Sequence, residues 1–282
     1  LSLDTMEAAA GIARVVDNNM ATAARVHIAE AGTDPQRYRM VAFGGAGPVH
    51  AYELARLLDS REVMFPRGAG VASAIGMLVA PRAVEFTRSL IAGLEQLDWS
   101  LVRTILADLA AQGSAVLREG GVTDSEIGLE TSADMRYAGQ GFEVTVPLDA
   151  AALATADAAS LHRAFDARYR ERYGRSLGGM AVELVSWRVR AVAPPSVSEI
   201  RLADQSADGD ALIERRAAWF AEIGGFAETP VYARARLVEG VRIDGPALIE
   251  EVESTVVIGP AAHVRVDHFG NLIMRFHERT GQ

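Results

Sequence analysis

The chain has 282 residues, 49% hydrophobic and 23% charged, which fits one large domain or two ordinary ones and excludes a disordered or collagen-like chain. All 28 basic residues are arginine and cysteine is absent, so P-loop lysines, Schiff bases, thiolate nucleophiles, disulfides and cysteine zinc sites are excluded. The net charge of −9, with no basic stripe, argues against nucleic acid; no apolar run reaches the 18 or so residues of a membrane span, and nothing argues for secretion, so a cytoplasmic protein is expected.

The chain begins at Leu1 with neither an initiator methionine nor a signal peptide, and reads as a piece of something longer. Asp4 and Glu7 have capping-box spacing, and Ile12, Val16, Met20, Ala23 and His27 then recur every three or four residues. This predicts one amphipathic helix ending near Gly32, with Pro35 beyond it. Asn18 and Asn19 are unusual inside a helix, because asparagine favours caps and turns. The pair is either exposed and locally satisfied or in contact with a ligand.

MVAF at 40–43 reads as a short strand, followed by Gly44-Gly45-Ala46-Gly47-Pro48 and a helix with Ala51, Leu54, Ala55 and Leu58 on one face. At such a junction glycines let the backbone approach a ligand, and the first N–H groups of the helix lack internal partners, so an anion or nucleotide fits there. The competing reading is a tight turn that recruits glycine for its own geometry. The string is GxGxxH, not the dinucleotide GxGxxG, and Glu62 alone does not restore a nicotinamide site. His50, at the helix start, either contacts ligand or caps the turn.

A second strand, EVMF at 62–65, leads through Pro66-Arg67-Gly68-Ala69-Gly70 into a helix at 72–78. Strands alternating with helices predict parallel pairing, with both glycine loops at the carboxyl edge where such sheets bind ligands. Ser73 lacks the flanking glycines of a nucleophile elbow and reads as helix packing.

Residues 1–90 balance nine arginines against nine acids, so the excess negative charge lies in 91–282. There a helix over 98–119, carrying Leu101, Ile105, Leu109 and Val116, precedes a hairpin joined around Ala138-Gly139-Gln140 whose second strand alternates Phe142, Val144 and Val146. A helix with Leu161, Phe165, Tyr169 and Tyr173 follows, then the strand VELVSWRVRAV closed by Pro194-Pro195. The stretch 196–210 has linker composition. From 215 onward, short apolar runs between glycine and proline read as a small antiparallel barrel or sandwich. His263, Asp267 and His268 fall near one another, but adjacent strand residues point to opposite faces, so a surface turn and no metal is expected.

Together these strings resemble the A subunit of the hydantoinase/oxoprolinase family nearly end to end. They include NNMATAAR at 18–25, AFGGAGPVHA at 42–51, GVASAIGML at 70–78, DMRYAGQGFEVTVPL at 134–148, RYG at 172–174, VELVSWR at 182–188, GPALIEEVEST at 245–255 and FGNL at 269–272. The GGAGPxHA and RYxGQxxE strings are the most specific. The resemblance implies an α/β fold: residues 1–90 as the carboxyl-terminal part of an actin-like (ribonuclease H-like) ATPase domain, 91–195 as a mixed α+β region, and 196–282 as a β-rich domain. It implies an ATP-dependent cyclic-amide hydrolase that phosphorylates the amide oxygen before ring opening, with Gly44, Gly45, Ala46, Gly47 and Pro48 at the adenosine side of the nucleotide cleft.

Asn18, Asn19 and His50 are further candidate contacts. The family's amino-terminal phosphate loop, an Asp-x-Gly-Gly-Thr string, is absent from these residues, so the groups that hold ATP phosphates and Mg2+ are expected outside this chain. The expected partners are the missing amino-terminal half, a hydantoinase B-type subunit and a small cyclic amide, in a homo- or hetero-oligomer. A ketone-carboxylase subunit and a non-catalytic interaction module are the alternatives.

Overall fold

The computed structural model describes residues 4–197, 199–200 and 209–277. In chain order the first elements are α1 (Thr5–Glu30), β1 (Met40–Val41), α2 (Gly47–Leu57), β2 (Glu62–Phe65), α3 (Ala72–Val79), β3 (Arg82–Gly93), α4 (Trp99–Glu119), β4 (Gly128–Tyr137) and β5 (Val144–Pro147). They continue with α5 (Ala150–Thr155), α6 (Ala158–Tyr173), β6 (Val182–Ala193), β7 (Leu212–Phe220), β8 (Gly225–Ala233), β9 (Arg242–Asp244), β10 (Ala247–Glu250), β11 (Thr255–Ile258), β12 (Ala262–Val266) and β13 (Leu272–Phe276). Among the described residues the fold is mixed α/β with three sheets, and no helix there is long and apolar enough to cross a membrane. The chain divides into two compact units, one formed by Leu1–Met77 with Glu199–Gln282 and the other by Leu78–Ser198.

In the first unit, α1 starts as its sequence dictates. The Asp4 carboxylate accepts from the Met6 and Glu7 amides, while Glu7 accepts from the Asp4 amide, completing the capping box. The helix caps at Ala31, and Gly32 takes φ +63°. Its packed side is not the expected apolar one. Asp17 and Ala21 are buried, whereas Ile12 is 67% exposed and Val16 and Met20 are exposed too. The main contact of α1 is with α2, and there a small side chain and a hydrogen-bonded acid permit close approach.

The strands β1 and β2 pair in parallel, as expected, and β2 then pairs with β13, giving the sheet order β1-β2-β13-β12-β9. A second sheet runs β11-β10-β8-β7, with β10 parallel to β8. The strands beyond 215, expected as a small antiparallel barrel or sandwich, fall into these two sheets rather than one closed barrel: β13 extends the sheet begun by β1 and β2, and β10 runs parallel to β8. Tyr52 of α2, Val63 and Phe65 of β2, Ile249, Ile258 and Met274 meet in one core. The linker-like stretch 196–210 falls largely on 198 and 201–208, outside the described residues.

In the second unit, β3, β6, β4 and β5 form an antiparallel sheet in that order. Val102, Ile105 and Leu109 of α4 and Leu161, Phe165 and Tyr169 of α6 pack with Met135, Leu184 and Trp187 of the sheet. Phe142, read with Val144 and Val146 as part of the second strand's alternation, is 80% exposed and precedes β5.

The RYxGQxxE string holds this unit together. Arg136 pairs with Glu183 at 2.6 Å and Glu143 at 3.4 Å, the Tyr137 hydroxyl donates to Asp166 at 2.9 Å, and Gln140 donates to the Tyr169 hydroxyl at 3.0 Å. Beside it, Asp134 accepts from Thr145, Ser186 and both Nε and Nη2 of Arg188. The signature thus joins the hairpin to α6 and β6.

Candidate functional site

The glycine loop after β1 and the loop after β2 are tied directly. Gly44, at φ +89°, a conformation that side chains disfavour, donates its amide to the Ala69 carbonyl at 2.8 Å. A Cβ on Gly70 would stand 2.7 Å from Cβ of Glu253, in the turn between β10 and β11, and a Cβ on Gly45 would stand 3.4 Å from the Glu253 carbonyl oxygen. Part of the glycine pattern is therefore a packing requirement of this unit. Gly47 differs: no atom lies within 4 Å of a Cβ built there.

At Gly47 the chain turns into α2. The N-cap residue Ala46 makes no side-chain hydrogen bond, and Pro in the first turn removes one donor. This helix start lacks the usual side-chain acceptor, which leaves it suited to an external one. Gly45 and Ala46 are exposed and Gly44 and Gly47 half-buried, so the loop is accessible.

One turn further, His50 Nδ1 lies 2.7 Å from the Asp17 carboxylate on α1. With Nδ1 held by a carboxylate, the ring is oriented and Nε2 has no protein partner among the described residues. Asp17 is the functional candidate that sequence reading missed; its one signal is an acid placed on the packed side of α1. Asn18 Nδ2 donates to the Arg14 carbonyl at 2.7 Å and the Asn18 backbone carbonyl accepts from the Thr22 hydroxyl, so the side-chain amide nitrogen is engaged within α1. Asn19 is exposed.

Asp17, Asn18, His50, Tyr52, Glu53 and Glu222 line a cavity of about 730 Å³. None of Gly44 to Pro48 lines it, nor does Asn19. The Tyr52 hydroxyl donates to Glu222 at 2.6 Å and accepts from the Ala261 amide at 3.2 Å. Burial, followed by the bond to Glu222, pushes the Tyr52 phenol well above its usual range, so it stays a neutral donor. Burial also raises Glu53, against the opposing charge of Arg56, which lies 3.1 Å from Glu53 and 3.5 Å from Glu222. Four carboxylates, Glu7, Asp17, Glu53 and Glu222, against two guanidiniums, Arg14 and Arg56, leave the lining net acidic, which disfavours a phosphate chain.

His263, Asp267 and His268 do not converge as a group. The Asp267 carboxylate accepts from the Phe269 and Asn271 amides and from the Asn271 side chain, closing the β12–β13 turn, and His268 lies against the Phe269 ring.

With this geometry in place, comparison with known proteins matches residues 1–85 to the hydantoinase/oxoprolinase family and residues 96–278 to the hydantoinase/oxoprolinase C-terminal domain. An uncharacterised protein of Methanocaldococcus jannaschii is 32% identical over 94% of this chain and 37% of its own length. The acetophenone carboxylase gamma subunit of Aromatoleum aromaticum is 29% identical over 97% of this chain and 39% of its own. The crystal structure of ATP-dependent caprolactamase from Pseudomonas jessenii superposes with a TM-score of 0.65 at 27% identity, covering 96% of this chain and 40% of that one. The chain thus spans well under half the length of these relatives.

Proposed function

The chain belongs to the hydantoinase/oxoprolinase family, and on that premise we propose that it is the carboxyl-terminal portion of an ATP-dependent enzyme that activates a cyclic amide by phosphorylation before ring opening. An unstrained amide resists water, and turning its oxygen into a phosphate ester supplies a good leaving group. In this reading residues 1–90 are the second half of an actin-like ATPase domain, and Gly44, Gly45, Ala46, Gly47 and Pro48 form the adenosine wall. ATP phosphates and Mg2+ are held by residues outside this chain, and a B-type subunit completes the enzyme.

The observation that carries the reading is the start of α2, accessible and without a side-chain cap, with Gly47 open in front of it. The His50–Asp17 pair one turn on offers an oriented imidazole. ATP, Mg2+ and a lactam or hydantoin provide the test, given to this chain alone and to the chain joined to the amino-terminal portion that its relatives possess. Amide-dependent phosphate release by the joined protein only is the expected result. Equal release by the 282 residues alone overturns it. The carboxylase relative favours one other reading, a subunit acting on a ketone, and bicarbonate-dependent consumption of a ketone in the same assay identifies it.

A further inference from the structure

Three side chains away from the glycine loop share a face of the five-stranded sheet. Register pairs His263 of β12 with Asp244 of β9, and the same His263 with Arg275 of β13. Two residues beyond Arg275, His277 returns to that face, its amide donating to the Ala261 carbonyl at 2.8 Å. The alternate residues Ile243, Val264 and Met274 point the other way, into the core. One donor atom from each of Asp244, His263 and His277 falls within 4.8 Å of the others. Nε2 of His277 is 4.0 Å from Asp244, and the two imidazoles are nearly parallel, with centroids 5.6 Å apart.

Within this group Nδ1 of His263 is buried and makes no hydrogen bond. A buried ring nitrogen without a protein partner is costly and uncommon in folded proteins, and a cation is one group that satisfies it. We propose that Asp244, His263 and His277 form a site for a borderline divalent cation of the zinc class. Two imidazole nitrogens and one carboxylate oxygen suit zinc better than the all-oxygen shells of magnesium or calcium. Zinc bonds of about 2.0–2.1 Å require the donors to draw closer, and Asp244 and His277, both largely exposed, have room to turn.

The surroundings set the strength. Arg242 holds Asp244 at 2.9 Å, and Arg275 pairs with Glu62 at 2.5 Å. These two guanidiniums oppose a cation and make the site weaker than a structural zinc finger. Bound there, the ion ties β9, β12 and the residue after β13 together.

The chain is prepared without a histidine tag, stripped with chelator and titrated with Zn2+ by calorimetry and with Co2+ by visible absorption. One equivalent binds, and Co2+ gives the intense bands of a low-symmetry four-coordinate site. His277→Gln and Asp244→Asn each weaken Zn2+ binding by at least about tenfold, with the metal-free melting temperature unchanged. His268→Gln, at the nearby turn, leaves binding as it was. The absence of saturable Zn2+ uptake overturns the proposal, as does uptake that His277→Gln and Asp244→Asn do not weaken, or a loss in His268→Gln equal to theirs.

Discussion

The imidazole of His50 stands 2.7 Å from the carboxylate of Asp17, a contact that joins the first turn of α2 to the middle of α1. Asp17 is buried and His50 half-buried, so the pair is partly shielded from solvent. Replacing either residue, Asp17→Asn or His50→Gln, lowers stability by about 1 kcal/mol, and the double variant loses little more than one single variant. Urea unfolding of the four proteins measures this. Additive losses show that the two side chains do not act on each other.

The two glycine environments separate packing from binding. Gly70→Ala places a methyl against Glu253 Cβ at 2.7 Å, and destabilisation of about 1–3 kcal/mol follows from overpacking. Gly47→Ala meets no atom within 4 Å and leaves the melting temperature nearly unchanged, while it weakens ATP binding in the intact enzyme. Thermal melts and nucleotide titration of both variants check the contrast. A Gly47→Ala protein that binds ATP as well as the parent removes the loop from the nucleotide site.

Arg234 is almost wholly buried. Its guanidinium lies 3.0 Å from Glu251 and donates to the Phe65 and Gly270 carbonyls at 3.0 and 3.1 Å. Burial lowers its pKa, against the opposing charge of Glu251. Glu251→Ala leaves that charge uncompensated and costs about 3–5 kcal/mol. A melting temperature within a degree or two of the parent's contradicts this.

Asp134 gives a pH signature. Burial opposes its ionisation, but hydrogen bonds from Arg188, Ser186 and Thr145 outweigh burial and hold its pKa below the usual carboxylate value. A depressed pKa stabilises the fold wherever the unfolded carboxyl is ionised, above about pH 4, and that contribution is lost as pH falls through the folded value. Asp134→Asn is therefore about 2 kcal/mol less stable than the parent at neutral pH, and the gap narrows as the solution is acidified below about pH 4. A gap that stays constant into the acid range contradicts the assignment.

What was legible in the sequence was local. The Asp4–Glu7 box, the strand–glycine–helix junctions at Gly44 and Gly68, and the alternation of Val144 and Val146 each lie within a few residues, and each appears where expected. The packed side of α1 was not legible, because its larger apolar side chains lie on the exposed face while an acid and an alanine make the contact. Nor was the Asp17–His50 pair, whose members lie 33 positions apart. The resemblance to a family supplied the glycine loop's candidate role; geometry added the acid behind His50.

The pairing of β13 with β2 bears on how the protein is made. Synthesis delivers β1 and β2 before the second unit, and the strand that lies beside β2 leaves the ribosome only after that whole unit has emerged. Until then the nascent chain presents an open strand edge, which invites pairing with other chains and calls for protection by a chaperone.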